Sequence, residues 1–417
     1  MPAASAAEVE VWLAKETPRL VQFYQTLHAS PELSFKEKET AARMTAEARR
    51  MGFEVTEEVG GHGVVAVLGN GPGKTLLLRA DMDALPVAEE TGLEYASKVR
   101  VRDERGATVG VMHACGHDMH MTNLVGALRY LNQYRGQWSG TLVAMFQPAE
   151  ERGAGAEAML ADGLLKRFPR PDYAVALHVA ADAEAGTVGY RAGFAMANVD
   201  SVDITIRGRG GHGANPSATI DPVVIAAKLV VDLQTIVSRE ISAIEPAVVT
   251  VGSIHGGTKH NIIGDTCKLQ LTVRSYTDEV RKLLADAIRR KANAAAASAG
   301  APEPEVVYSE GTPALYNDPE LVERLVPVIA AAVGQGRVFE VEQTMGGEDF
   351  GRIGRAGVPI AMLRLGTIEK SRLEKLTVGG AQPPSLHSPL YYPDAAPSIE
   401  TGVKTLVAVA LELLEPE

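Results

Sequence analysis

Apolar positions recur at helical spacing over residues 7–28, where Val11, Leu13, Leu20, Val21, Tyr24 and Leu27 fall near one face. Ser30-Pro31 ends that helix, because the residue before a proline disfavours the helical region. A second helical pattern covers 36–51 and stops at Gly52. Short apolar runs at 63–68 and 75–79 then read as strands. A polar loop, a helix over 122–131 and strands at 141–146 and 173–177 follow. Helices alternating with short buried strands predict an α/β domain with a mixed sheet and helices on both faces.

The pattern changes near Arg191. Residues 199–206, VDSVDITI, alternate with period two, as a half-buried strand does. A long apolar helix pattern covers 220–238. Strands follow at 248–254 and 268–275, with the alternation plainest in KLQLTVRS, and a helix over 278–297 ends in AAAASAGAP. Antiparallel strands with two helices make a ferredoxin-like α+β module. From residue 321 the α/β pattern returns: a helix, strands at 338–341 and 360–365, and a helix over 398–414. The simplest organisation is one α/β domain, 1–190 and 310–417, interrupted by an inserted domain, 191–309.

Composition narrows the function. The 417 residues are 46% apolar and 22% charged, an ordinary globular mixture with room for two or three cores. Acids outnumber bases 52 to 41, a net charge of −11. That excess argues against nucleic acid or an anionic membrane as partner, since both require basic patches. Two cysteines, Cys115 and Cys267, make no disulfide framework, and a reducing cytosol is the default. The N-terminal stretch lacks the basic and apolar regions of a secretory signal, and no run approaches the ~20 apolar residues of a membrane span. A soluble cytoplasmic protein is expected.

Candidate chemistry gathers where the periodicity breaks. Most histidines lie beside Gly, Cys, Asp or Pro, or at strand ends, which places them in loops rather than on helix faces. The densest segment is His113-Ala114-Cys115-Gly116-His117-Asp118-Met119-His120. A Cys and a His two apart in a glycine-containing loop can share a zinc-like divalent ion, with Asp118 as acceptor for a ligand imidazole. The plainer alternative is a polar loop with one buried cysteine. Glu150-Glu151 follows an apolar strand, where open α/β sheets place ligands. Adjacent carboxylates are ordinarily solvated, but beside a metal one can bind it while its neighbour moves a proton. His178 follows another strand, and His387 lies in a loop after Pro383-Pro384. Together these segments suit a dinuclear site, with ions about 3.5–4 Å apart. Asp81 and Asp83, just past the strand at 75–79, are either ligands, orienting groups or a solvated acidic turn.

The ordered set RADMDALP, MHACGHDMH, FQPAEE, LHV, GRGGHGANP, HNIIGD, GGEDF and LHSP resembles the metal-dependent aminoacylase/carboxypeptidase family. Its nearest branch is the amidohydrolases that include hippurate hydrolases and hydrolases of auxin–amino acid conjugates. The resemblance covers residues 27–414. It implies a catalytic α/β domain with an inserted lid and dimerisation domain, and a homodimer or higher oligomer. It also implies Cys115, His117, Glu151, His178 and His387 as ligands of two divalent ions, zinc or manganese first, cobalt or nickel next. Glu150 takes the family's general acid/base position. Asp81 stands where the wider family has a metal-binding His, and Cys-x-His supplies the ligand instead; Asp83 keeps an orienting position. His212 corresponds to a residue that helps hold the oxyanion, often across the dimer. Asn261, Arg274 and Gly347 match positions near the substrate carbonyl or carboxylate.

The implied reaction is hydrolysis of an N-acyl amino acid by a metal-bridged water, with Glu150 moving the proton. A dipeptidase or carboxypeptidase on the same site is the alternative. A cysteine hydrolase built on Cys115 leaves Glu150, Glu151 and His387 without a role. A non-catalytic metal or ligand binder leaves Glu150 without one.

Overall fold

The computed structural model describes residues 3–416. In chain order it contains α1 (Ala3–His28), α2 (Lys38–Arg50), β1 (Glu54–Val59), β2 (Gly63–Asn70), β3 (Thr75–Asp81), α3 (His117–Gln133), β4 (Gly140–Gln147), β5 (Tyr173–Glu184) and β6 (Val188–Tyr190). Next come β7 (Asn198–Arg207), α4 (Pro222–Thr235), β8 (Val248–Gly256), β9 (Thr266–Ser275), α5 (Asp278–Ser298) and β10 (Glu305–Glu310). The chain returns through α6 (Pro319–Val333), β11 (Val338–Glu340), β12 (Ile360–Ile368) and α7 (Ala395–Leu413).

The residues cluster into two units. One comprises the chain through Gly193, Tyr316–Glu342 and the chain from Asp349; the other is Phe194–Leu315 with Gln343–Glu348. These limits differ from the expected 190/191 and 309/310. Loop 343–348, with Gly347, also belongs to the smaller unit rather than the α/β one.

The larger unit holds an eight-stranded mixed sheet in the order β1-β2-β4-β3-β5-β12-β6-β11. The three strands β4, β3 and β5 run parallel, as do β5 and β12. Strands β3 and β4 are buried almost throughout, as central parallel strands must be. Helices α3 and α7 supply much of the core: Leu124, Leu128, Leu131, Val403 and Val407 are fully buried. Each such side chain contributes about 1.5–3 kcal/mol of transfer free energy.

The smaller unit has the antiparallel order β8-β9-β7-β10. With α4 after β7 and α5 after β9, this is the ferredoxin-like βαββαβ arrangement. The alternation in β9 buries Cys267, Leu269, Leu271 and Val273, while Lys268 and Gln270 face outward.

Two local expectations need correction. The helix expected from Thr122 begins at His117, so His117 and His120 sit on its first turn rather than in a loop. Strand β5 continues to Glu184, so His178 lies within a strand rather than at its end. In both places buried polar residues break the apolar periodicity without breaking the backbone. The helix Lys370–Leu376 has no counterpart among the expected elements.

Candidate functional site

In the larger unit, the ends of β3 and β4, the start of α3, the middle of β5 and the His387 loop converge. Gly116 caps α3 in the left-handed region, φ 74°. A Cβ there would lie 2.7 Å from Val179 Cγ2, so glycine lets the Cys115–His117 segment pass close beside β5. The His387 backbone N–H donates to the Ala114 carbonyl at 2.9 Å, tying the last loop to the first.

Three overlapping groups of donor side chains result: Cys115, His117 and His178; Cys115, Glu151 and His387; His117, Glu150 and Glu151. Within each, the donor atoms lie within 4.8 Å of one another. Cys115 Sγ is 3.7 Å from His178 Nε2. His117 Nε2 is 3.8 Å from a Glu151 oxygen and 3.9 Å from a Glu150 oxygen, and His387 Nε2 is 3.5 Å from Glu151. Cys115, His117, His178 and Glu150 are buried, whereas the His387 side chain is 55% exposed.

Both His117 ring nitrogens and Glu151 Oε1 are buried with no hydrogen-bond partner among the described residues. Such groups are costly unless something else satisfies them. A divalent cation does so, and a thiolate, imidazoles and a carboxylate are a suitable donor set for zinc and similar ions. The tautomer of His178 agrees: its Nδ1 faces the Val179 carbonyl at 2.8 Å, which only accepts. Arg364 Nη1 also faces Nδ1, but at 3.3 Å; the shorter contact to the carbonyl favours the proton on Nδ1 and leaves Nε2 as a donor atom toward Cys115.

Burial and the surrounding charges set the site's electrostatics. Burial alone would lower the His117 pKa, but Asp81 and Asp83 overcome it and hold it well above the ordinary value. Burial raises Glu151 to about 7, reinforced by Asp83 and Asp81 against the pull of His117. Burial, then the Glu151 charge, pushes the Cys115 thiol far up. His178 is lowered by burial and Arg364, and His387 by burial and His117. Positive charge is favoured at His117, and Cys115 is not an activated thiolate by itself.

The adjoining polar cluster is internally complete. The buried Arg79 donates to Gln147 at 2.9 Å, Asp81 at 2.8 Å and Asp349 at 3.4 Å. His120 Nδ1 donates to Asp81 at 2.6 Å, while its Nε2 accepts from the Val179 N–H at 2.9 Å. Asp81, His117 and His120 also lie close enough to share an ion. However, His120 has both nitrogens engaged and Asp81 is committed to Arg79, so Asp81 is scaffold here. Burial opposes its charge, yet Arg79 and the neighbouring histidines keep its pKa well below the usual range.

Asp83 accepts from Ser34 Oγ and from the backbone N–H groups of Glu150 and Glu151, at 2.7, 3.1 and 3.0 Å. It lies 3.4 Å from His117 Nδ1. Asp118 does not support a ligand imidazole as expected. It accepts from His28 Nδ1 at 2.6 Å, and His28 Nε2 faces Glu89 at 3.0 Å. Two acceptors on one ring make His28 an imidazolium. Burial opposes this, but the bonds to Asp118 and Glu89 raise its pKa to about 9.

His28, Glu37 and Glu89 escaped the sequence reading, and Arg79 and His120 entered it only as members of the RADMDALP and His113–His120 segments, without a role. The partners of His28 lie 90 and 61 positions away, and Glu37 meets Ala149 112 positions on, so only a pairing of buried groups, invisible in periodicity, would have revealed them.

The remaining candidates lie in the smaller unit. His212 is exposed on the two-residue strand Gly211–His212, paired with Ile262–Ile263. Its Nδ1 accepts from the Ala214 N–H at 3.0 Å, which leaves the proton on Nε2. The Gly213 N–H donates to the Asn261 carbonyl at 2.9 Å, so the two motifs form one ribbon. Arg274 is half-buried and donates to Thr272 Oγ1 at 3.0 Å. Gly347 packs so closely that a Cβ would lie 2.3 Å from Val199 Cγ2.

A mixed α/β unit, a ferredoxin-like insertion and clustered thiol, imidazole and carboxylate donors define a class that sequence comparison identifies. Residues 77–411 match the model of peptidase family M20/M25/M40, and the chain belongs to that family. It is 37% identical over 350 residues to thermostable carboxypeptidase 2 of Saccharolobus solfataricus, 83% of each chain. It is 38% identical over 327 residues to hippurate hydrolase of Campylobacter jejuni, 78% of this chain and 82% of the relative. Among solved structures, the Bacillus subtilis YXEP protein, a dinuclear metal-binding peptidase of family M20, superposes with a TM-score of 0.78. Identity is 30%, covering 96% of this chain and 99% of that one.

Proposed function

We propose that this protein hydrolyses the amide bond of N-acyl amino acids or related amino acid conjugates, using two divalent ions. The observation that carries the reading is the buried set Cys115, His117 and His178 with the adjoining Glu151, completed by His387, with donor atoms at His117 and Glu151 unpartnered among the described residues. These five side chains would hold the ions, and Glu150 stands beside them as general acid/base. The hippurate hydrolase and dinuclear YXEP relatives support the reaction class and the ion number. The Cys ligand favours zinc, with manganese, cobalt or nickel as alternatives.

When bound, the ions polarise the scissile carbonyl and acidify the attacking water. Glu150 accepts the water's proton and delivers it to the leaving amine nitrogen, giving a carboxylic acid and a free amino acid. His212, through its Nε2–H, and the Asn261 amide donate to the oxyanion. Arg274 and the loop at Gly347 receive the substrate carboxylate. Cys115 forms no acyl intermediate: as a ligand its sulfur would be committed to the cation rather than free to attack the carbonyl.

A homodimer forms through the smaller unit. Strand β8 is a sheet edge, and Val223, Val224 and Val231 on α4 are exposed. An open edge beside an apolar helix face suits a second copy. No helix among the described residues is long and apolar enough to cross a membrane, and both cysteines are free. The unpaired thiols support a cytoplasmic setting.

A second reading, a carboxypeptidase on the same site, is favoured by the similarity to thermostable carboxypeptidase 2. Metal-reconstituted protein incubated with N-acyl amino acids and dipeptides, reading free amine, separates the two. Hydrolysis of neither class, with two ions bound, would overturn the proposed activity.

A further inference from the structure

The turn that presents Glu150 and Glu151 is held by an unusual set of contacts. Strand β4 ends at Gln147, and Ala149, two residues on, has φ 50°. A non-glycine residue adopts that left-handed conformation only against a steric penalty. Ala149, Glu150 and Glu151 then offer three consecutive backbone N–H groups. Each meets a different carboxylate oxygen: Glu37 Oε1 at 2.8 Å, Asp83 Oδ1 at 3.1 Å and Asp83 Oδ2 at 3.0 Å. The Gly153 N–H closes the turn on the Glu150 carbonyl at 2.6 Å.

Glu37 is fully buried just before α2. Its Oε1 also accepts from the Phe35 N–H at 2.9 Å, and Phe35 itself has φ 60°. One oxygen therefore pins two left-handed residues from distant parts of the chain. Neither Glu37 nor Ala149 belongs to any of the donor groups described above.

We propose that Glu37 is a positioning residue for the reaction: through the Ala149 N–H it holds the left-handed turn that aims Glu150 and Glu151 at His117. The inference rests on the roles proposed for Glu150 and Glu151. Only an acceptor oxygen is required at Glu37, not a charge. A misplacement of about 1 Å at the reacting groups costs about 10²-fold in rate.

The test uses Glu37→Gln, Glu37→Asp, Glu37→Ala and the double variant Glu37→Ala/Ala149→Gly, with Glu150→Gln as reference. Each is compared with the wild type for kcat, KM and zinc affinity, the last by chelator competition on the metal-free protein. Glu37→Gln retains an acceptor and stays near the wild type. Glu37→Ala loses about 10²-fold in kcat with KM little changed, and binds zinc more weakly because Glu151 is no longer aimed. Glycine takes positive φ without penalty, so Ala149→Gly restores about tenfold of the lost kcat in the Glu37→Ala background. If Glu37→Ala does not fold, Glu37→Asp, which withdraws the acceptor with a smaller cavity, carries the same expectations, including rescue by Ala149→Gly.

Wild-type kcat and zinc affinity in folded Glu37→Ala, or no rescue by Ala149→Gly, would overturn the positioning role. An active Glu150→Gln variant would instead overturn the proposed function. Zinc affinity tells the two failures apart, since only the Glu37 variants are expected to weaken it.

Discussion

Two polar clusters lie within the same unit, each built around buried histidine and carboxylate side chains, and they differ in how far their groups satisfy one another. In the Arg79–Asp81–His120–Gln147–Asp349 cluster, the charged and ring groups face one another: Arg79 spans three acceptors, and His120 uses both nitrogens. In the Cys115–His117–Glu151–His178–His387 cluster, His117 and Glu151 keep buried atoms without partners among the described residues. The first cluster has its counter-charges built in. The second has the Asp81 and Asp83 carboxylates 3.5 and 3.4 Å from His117 but leaves hydrogen-bonding atoms of His117 and Glu151 open, an arrangement that suits a cation. Burial therefore does not tell these two clusters apart; completeness of hydrogen bonding does.

The comparison is tested most severely at Glu150, beside the incomplete cluster. Glu150→Gln is expected to lower kcat by about 10²–10⁴-fold with metal content unchanged, read by steady-state kinetics and elemental analysis. In the complete cluster, Asp81→Asn should cost stability instead. Breaking one side of a buried pair typically costs about 3–5 kcal/mol, visible in urea unfolding, while the folded fraction still binds two ions. If Asp81→Asn mainly removed metal, the division between the clusters would be wrong. Cys115→Ala should do the reverse, weakening zinc binding at least about tenfold in chelator competition with a smaller loss of stability.

The smallest effect concerns His28, a third buried polar group. Its folded pKa, about 9, stands above the ordinary 6.5, so its stabilisation is complete below about 6.5 and is lost as pH rises through about 9. Asp118 and Glu89, both held low, stay ionised across that window, and Tyr24 and Tyr95 are pushed upward, Tyr95 to about 12. The Tm gap between wild type and His28→Gln should therefore be widest near pH 6 and close above about pH 9, measured by scanning fluorimetry. A gap independent of pH would mean that His28 acts by packing alone.

Sequence periodicity reads well where one side of an element is apolar and the other polar. Strand β9 is such a case: KLQLTVRS assigns each side chain to its face, and Leu269, Leu271 and Val273 are buried as the alternation requires. It reads poorly where polar residues are buried for chemistry. The first turn of α3, with His117, Asp118 and His120 all inside, carries no amphipathic signal, so periodicity marks the helix only from Thr122. Motif spacing brought the Cys115, Glu150, His178 and His387 segments into consideration, because strand ends and glycine loops leave marks in a sequence. Glu37 left none: a glutamate before an ordinary helix acquires meaning only once Ala149 is seen to be left-handed.

His387 differs from the other proposed ligands in standing half in solvent, on a loop and at φ 69°, tied to the protein by its N–H to Ala114. Four sunken donors and one rinsed by water make a lopsided cage. An ion held by this set would meet solvent on the His387 side, the one donor that water reaches freely. Shortening or stiffening its loop would slow exchange far more than it changed affinity at equilibrium.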